Sequence, residues 1–172
     1  MLPTTWPNLF AAAKQALRDH ESMTKGNNFL SLCYEPSFGD EFSLCFSWDG
    51  GRCRWERLTW EKNTDVAKFG VMEQLRYLGQ TLAPTLRSAS GDCDREDLQP
   101  IVARLESLTL PIRDSPDRSL ILDGVTTTLT FGNATWKVSY RWTMLPPTWK
   151  GLGDVQRMLL QLAEKLEEDT EE

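Results

Sequence analysis

One alternating pattern around a glycine turn constrains the fold of this chain more than any other feature. From Phe42 to Trp48 the large apolar residues fall on even positions, and after Asp49-Gly50-Gly51 they return at Cys53 and Trp55. Because strand side chains alternate between two faces, a two-residue loop, Asp49-Gly50 or Gly50-Gly51, puts these apolar residues on one face, whereas a three-residue loop would divide them. The pattern therefore predicts a β-hairpin with one apolar face.

The segments on either side of this hairpin, within residues 7–82, are predicted to form two helices and one further strand. Residues 7–20 carry apolar and alanine residues at three- and four-residue spacing, which predicts a helix, and residues 29–35 read as a strand that ends before Pro36. Trp60 breaks the alternation, so the second hairpin strand is expected to end near Arg57 or to contain a bulge. Capping side chains at residues 63–65 begin a helix that continues to residue 82.

The second half repeats this order of elements. Residues 85–93 read as a polar connector, and Asp94 caps a helix with apolar positions through Leu108. A three-strand meander is expected from Leu120, with two-residue turns at Asp123-Gly124 and Gly132-Asn133. Its predicted buried face comprises Leu120, Leu122, Val125, Leu129, Phe131, Trp136, Val138, Tyr140 and Trp142, while threonines and charged residues form a wet face. A final helix carries an apolar stripe from Trp149 to Leu166.

The predicted fold class is therefore α+β, with antiparallel meanders packed against helices in the order α-βββ-α-α-βββ-α. One domain is expected over residues 1–166, in two similar halves at 7–82 and 94–166, and residues 167–172 are expected to be a disordered acidic tail. The similarity of the halves suggests an internal duplication, although simple meander patterning could arise twice independently.

The four cysteines, Cys33, Cys45, Cys53 and Cys93, lack the close pairing that metal and redox sites use. The hairpin register puts Cys45 and Cys53 on opposite faces, which argues against a disulfide between them. The amino terminus lacks the basic start and apolar run of a signal peptide. We therefore expect a cytoplasmic protein with four reduced cysteines.

Charge excludes one class of partner. The net charge is −6, and five of the negative charges lie in the last six residues, so the remainder of the chain is nearly neutral. Neither half has the basic excess that nucleic-acid binding requires. No run of about 18 apolar residues occurs, so no membrane span is expected either.

No catalytic or cofactor motif is present in the sequence. Phosphate-binding glycine loops, the nucleophile elbow and the zinc-protease helix motif are all absent. His20 is expected to lie at a helix end as a capping or surface residue. The acidic cluster at Asp92 to Asp97 lacks the glycine and glutamate of a calcium loop, so helix capping explains it. The sequence therefore predicts a protein that is not an enzyme and that uses no metal or cofactor.

The predicted partner-binding residues are Arg52, Arg54 and Trp60. Trp60 is the large aromatic that the core pattern does not place, and it follows the arginines on the same predicted hairpin. Exposed tryptophan beside arginine is a common anchor of protein interfaces. We expect this hairpin to contact another protein.

The carboxyl-terminal third contains Leu122-Asp123-Gly124, Trp136, Tyr140-x-Trp142 and Pro147-x-Trp149, followed by an amphipathic helix. This pattern resembles one that recurs in small uncharacterised bacterial proteins, some of which look like immunity factors that neutralise a toxin. The resemblance implies a non-catalytic protein-binding module that occludes a partner protein, such as a cognate toxin. A secretion chaperone is one alternative, and a small-molecule binder or enzyme with its site between the two halves is another.

Overall fold

The computed structural model describes residues 5–22, 28–74, 83–109 and 124–171. Its helices are α1 (Trp6–Ser22), α2 (Lys62–Gln74), α3 (Arg95–Glu106) and α4 (Lys150–Glu171), the last preceded by a 3₁₀ turn at Pro147–Trp149. Its strands are β1 (Asn28–Pro36), β2 (Glu41–Asp49), β3 (Arg52–Trp60), β4 (Leu86–Cys93), β5 (Val125–Asn133) and β6 (Lys137–Trp142). The fold is α+β, as predicted.

The two predicted halves share one sheet. Its strand order is β4-β3-β2-β1-β5-β6, and every neighbouring pair is antiparallel. The junction is the pairing of β1 with β5, which runs from Asn28 opposite Asn133 to Pro36 opposite Val125. Residues from both halves therefore meet on each face of the sheet beside this junction.

The β2–β3 hairpin has the predicted register. Trp48 pairs with Cys53 and Phe46 with Trp55, so the loop is Gly50-Gly51. Gly50 has a φ of +59°, a conformation that glycine adopts without steric cost. The prediction of one apolar face is confirmed, because Phe46, Cys53 and Trp55 are all buried.

The β5–β6 turn lies two residues further along the chain than predicted. Gly132 pairs with Lys137, and the Asn133 N–H donates to the Trp136 carbonyl at 2.8 Å, so the chain reverses at residues 134–135 and not at Gly132-Asn133. The register moves by an even number of residues, which leaves the strand faces as predicted. Trp136, however, falls in the loop and is 51% exposed, so its assignment to the buried face is wrong. The predicted strand at Leu120–Leu122 lies outside the described residues.

Strand β4 occupies residues that the sequence pattern predicts as a polar connector, so that prediction is wrong. β4 is an edge strand that pairs with β3 from Cys53 opposite Cys93 to Trp60 opposite Leu86. Its residues are small and polar and mostly exposed, so they lack the apolar alternation that marks a strand. The exposed edge of β3 therefore determines this strand more than its own side chains do.

A disulfide joins Cys53 and Cys93 across β3 and β4, with 5.0 Å between their Cα atoms. The prediction of four reduced cysteines is therefore wrong for this pair. Cys33 and Cys45 are free thiols and both are buried. The sequence pattern could not indicate Cys93 as the partner of Cys53, because Cys93 lies on β4, which was not predicted as a strand.

The two faces of the sheet are covered differently. Helices α3 and α4 lie on the face that carries Phe46 and Trp55, and together they form the main apolar core. Helix α1 lies on the opposite face over β1, β2 and β3, where Ala13, Leu17 and Trp60 form a second, smaller cluster. Beyond that cluster the second face is polar, and this polar surface positions the candidate site.

Helix α2 is attached through one buried acid more than through an apolar stripe. Val66 and Val71, two residues of the predicted stripe, are 48% and 56% exposed. Asp65 is 2% exposed and accepts hydrogen bonds from Trp60 Nε1 at 2.7 Å, from the Thr85 backbone N at 2.8 Å and from Thr85 Oγ1 at 2.5 Å. Asp65 thus ties α2 to the end of β3 and to the residue before β4.

The charge of Asp65 should make stability depend on pH. Desolvation by burial alone would raise the pKa of this carboxyl, but the hydrogen bonds from Thr85 and Trp60 and the charge of Lys68 outweigh it and lower the pKa below 3.8. A depressed pKa in the folded state contributes stability above the unfolded-state pKa, and that contribution is lost as pH falls through the folded value. Acid should therefore destabilise the protein below about pH 4.

The Asp65→Asn variant should have a free energy of unfolding about 1–3 kcal/mol lower at neutral pH, because a neutral amide cannot accept all three hydrogen bonds. Urea titrations of both proteins across the acid range measure this. The stability difference should shrink as pH falls below about 4. Equal stability at neutral pH would show that Asp65 is not the attachment point.

The acidic carboxyl terminus is helical where the structure describes it. Residues 167–171 continue α4. Glu167 accepts hydrogen bonds from Arg57 Nη1 at 3.0 and 3.1 Å, and the Arg57 guanidinium lies 4.3 Å from the centre of the Phe42 ring. Among the described residues, no helix is long and apolar enough to cross a membrane.

Candidate functional site: a charged cleft over the β1–β5 junction

The structure places the three predicted partner-binding residues in different environments. Arg52 and Arg54 are exposed on the hairpin. Trp60 is fully buried, with its ring centre 5.3 Å from that of Phe10 and 6.2 Å from that of Trp6. Its interpretation as an exposed aromatic left out of the core is therefore wrong.

The reason lies in the second face of the sheet. β3 continues through Trp60 and pairs with β2 to its end, with Trp60 opposite Glu41. At this end α1 covers the face that the sequence analysis took to be outside the core. The break in alternation therefore marks a strand buried on both faces.

A cleft of 640 Å³ opens on the same face of the sheet, next to the Trp60 cluster. It is lined by residues of α1, of β1 and β2 with their loop, of the start of α2, and of β5 and β6. We call this the charged cleft, and its lining residues are Phe10, Lys14, Arg18, Glu35, Pro36, Ser37, Glu41, Lys62, Gly124, Thr126, Arg141 and Thr143. Both predicted halves contribute to it.

An ion-pair network fixes the floor of the charged cleft. Lys14 Nζ donates to Glu35 Oε1 at 2.6 Å and lies 2.5 Å from Glu41 Oε2, the latter an ionic contact without hydrogen-bond geometry. Lys62 Nζ donates to Glu41 Oε1 at 3.1 Å, and Arg141 Nη2 lies 3.6 Å from Glu35 Oε2. Glu41 is only 1% exposed, so its charge depends on the two lysines for compensation.

Two further contacts hold these side chains in place. The ammonium groups of Lys14 and Lys62 lie 5.2 and 5.5 Å from the centre of the Phe10 ring, within the range of cation–π attraction. Ser37 Oγ donates to the Gly124 carbonyl at 2.7 Å and accepts from the Gly124 N–H at 3.0 Å, which ties the β1–β2 loop to the start of β5. The charged cleft is therefore organised by contacts within the chain.

The balance of charge in the charged cleft favours anions. Four cationic side chains, Lys14, Arg18, Lys62 and Arg141, line it together with two carboxylates, Glu35 and Glu41. The local excess is two positive charges, although the whole chain has a net charge of −6. An excess of cations in a concave surface attracts negatively charged groups, and the walls exclude part of the screening solvent.

A second polar cluster, which the sequence pattern does not predict, lies at the far end of α1. His20 Nδ1 lies 3.2 Å from Ser43 Oγ and 3.8 Å from Cys45 Sγ, while His20 Nε2 lies 3.8 Å from Glu56 Oε2. Burial lowers the pKa of His20, and the charge of Glu56 opposes that shift. Ser43 is fully buried and Cys45 is 2% exposed, so this nucleophile, base and acid arrangement has no exposed nucleophile.

In the described part of the chain, no group of three or more histidine, cysteine, aspartate or glutamate side chains is arranged to hold a metal ion. Comparison with protein-family models, curated proteins and solved structures finds no match to this chain.

The charged cleft could not be recognised from the sequence because its residues come from six separate elements. One signal was present. Glu41 occupies the strand face opposite Phe42, in line with Ser43 and Cys45, and so places a carboxylate on a face of small side chains. A glutamate at such a position requires a cation from a covering element, and α1 supplies Lys14.

Proposed function

We propose that this chain is a non-catalytic protein-binding module that docks a partner protein over the charged cleft and acts by occluding it. The observation that carries the proposal is the cleft itself, an open concave surface built from both halves with an excess of two cations. Surfaces of this kind steer and orient a protein of opposite charge. The resemblance of the carboxyl-terminal third to immunity-type proteins makes a toxin of the same cell the partner that we propose.

The state of the two carboxylates supports binding over catalysis. Glu35 and Glu41 both contact the ammonium of Lys14, at 2.6 and 2.5 Å. A general acid or base has to face the reacting atoms within hydrogen-bond reach. Carboxylates that are engaged by one internal lysine instead stabilise the wall of a binding surface.

Arg52 and Arg54 remain predicted contact residues in this proposal. The strand register puts Arg54 on the same sheet face as Glu41, six residue pairs along β2 and β3. That separation is about 20 Å, at about 3.3 Å per residue. A protein interface of standard size, about 800 Å² per partner, can cover both the charged cleft and this hairpin.

Charge reversal at the rim tests the proposal. Arg18→Glu should weaken capture of the partner from native cells by about tenfold or more, because it removes half of the excess charge and adds a repulsive one. Arg87→Glu is the matched control, since Arg87 is exposed on β4 and its side chain lies on the other sheet face. Affinity is measured by titration with the captured protein, and thermal unfolding checks that both variants fold.

Equal loss of affinity in the Arg18→Glu and Arg87→Glu variants would show that the effect is general electrostatics and would remove the charged cleft from the proposal. A second candidate is a small-molecule binder or enzyme, which is favoured by the position of the cleft between the two halves. Native mass spectrometry of the purified protein distinguishes the two. A retained small ligand and no stoichiometric protein partner would support the second candidate.

The cytoplasm is the compartment that we propose. The Cys53–Cys93 disulfide is unusual for that compartment, where thiols are normally kept reduced. Alkylation of the protein in intact cells, before lysis, would test this. Blocked thiols at both positions would agree with a reducing compartment.

A further inference from the structure

The four cations of the charged cleft fall into two classes. Lys14 and Lys62 are engaged by the two carboxylates at 3.1 Å or less. Arg141 is 66% exposed and approaches Glu35 only at 3.6 Å, outside hydrogen-bond distance. Arg18 is exposed and has no ion pair within the described residues. The excess positive charge of the cleft is therefore carried by two guanidinium groups.

These two arginines come from different elements, Arg18 from α1 and Arg141 from β6. The hydroxyls of Thr126 and Thr143, which also line the cleft, lie 3.2 Å apart. A guanidinium presents a planar fork of donors that matches a carboxylate with two parallel hydrogen bonds, and a threonine hydroxyl can donate one more. The cleft thus offers several hydrogen-bond donors for oxyanions, while its own carboxylates are already paired with Lys14 and Lys62.

We infer that Arg18 and Arg141 are the recognition residues of the charged cleft and that they bind carboxylates of an acidic segment of the partner protein. This inference rests on the proposed function and names the chemistry of the partner. Two guanidiniums on separate elements suit two carboxylates carried by neighbouring side chains. A compact dianion such as phosphate would place two negative charges together beside Glu35, whereas two side-chain carboxylates would place one charge at each arginine.

The test uses the full chain and an end-blocked, fluorescently labelled peptide of alternating glutamate and glycine, titrated at low salt by fluorescence anisotropy. Arg18→Gln and Arg141→Gln should each weaken peptide binding by about tenfold, the loss of one charge-assisted fork. Arg87→Gln should bind as the unsubstituted chain does. A peptide with lysine in place of glutamate should not bind, and added salt should weaken the acidic peptide.

Several results would overturn the inference. These are no binding of the acidic peptide to the unsubstituted chain, equal binding by the two cleft variants, and displacement of the peptide by inorganic phosphate at equal concentration. The last result would assign the site to phosphate groups. Unfolding curves of Arg18→Gln and Arg141→Gln identify any loss of binding that comes from misfolding.

The outcome also separates this inference from the proposed function. If the acidic peptide binds through both arginines but no partner protein is captured from cells, the chemistry of the cleft stands and the proposed function fails. If a partner is captured with equal affinity by the chain and by its Arg18→Gln and Arg141→Gln variants, the protein-binding function stands and the arginine recognition fails.

Discussion

Replacing Trp60 with alanine is expected to lower the free energy of unfolding by about 3–5 kcal/mol. Trp60 is completely buried between α1 and the sheet, and its indole N–H donates to Asp65 at 2.7 Å. The substitution leaves a cavity under α1 and removes one of the donors that hold the buried carboxylate. Urea unfolding followed by far-ultraviolet circular dichroism measures the change without depending on tryptophan fluorescence.

Trp136→Ala is the matched control for this prediction. Trp136 is the same residue type but is 51% exposed in the β5–β6 loop, where its main ring contact is Phe131 at 6.2 Å. Its loss should cost less than about 1.5 kcal/mol. Similar losses in the two variants would mean that Trp60 is not the centre of a second core beneath α1.

Removing the disulfide with the double substitution Cys53→Ala and Cys93→Ala should lower the free energy of unfolding by about 4 kcal/mol. The bond joins residues 40 apart in sequence, and the constraint on the unfolded chain grows with the length of the closed loop. It also fastens β4, an edge strand with few buried side chains, to the neighbouring strand β3. Urea unfolding without reductant provides the measurement.

Thiol counting provides an independent readout of the same bond. The denatured chain should react with a thiol reagent at two cysteines, Cys33 and Cys45, before reduction and at four afterwards. A dithiol reductant should destabilise the unsubstituted chain and leave the double variant unchanged. Four reactive thiols in the unreduced protein would contradict the pairing.

The β2–β3 hairpin shows how far local sequence carries the fold. Its register follows from the parity of apolar positions and from a glycine turn, both of which are properties of fifteen or so neighbouring residues. The same parity kept the faces of β5 and β6 correct although the turn between them lies two residues further along the chain than predicted. An error in the position of a turn leaves side chains on the predicted face when it shifts the register by an even number of residues.

Trp60 and β4 do not follow from local pattern. A large apolar residue outside the alternation is expected to be exposed, and a polar stretch is expected to be a connector. Trp60 is buried because α1 covers the second face, and Leu86–Cys93 is a strand because β3 offers it an edge. Each outcome depends on a contact between elements distant in sequence.

The charged cleft likewise depends on contacts between elements that are distant in sequence. Glu41 and Lys14 are separated by 27 positions in the chain, yet they lie 2.5 Å apart once α1 docks on β1 and β2. Arg141 reaches the same cleft only because β5 and β6 extend the sheet beside β1.

The helices, the hairpin and the faces of the strands can be predicted from local sequence, since they depend on periodicities of two and 3.6 residues that neighbouring side chains set. The edge strand, the disulfide pairing and the convergence of charges over the β1–β5 junction form only when the elements pack together. Those features depend on contacts between residues that are distant in sequence, and the periodicity of neighbouring residues does not predict such contacts.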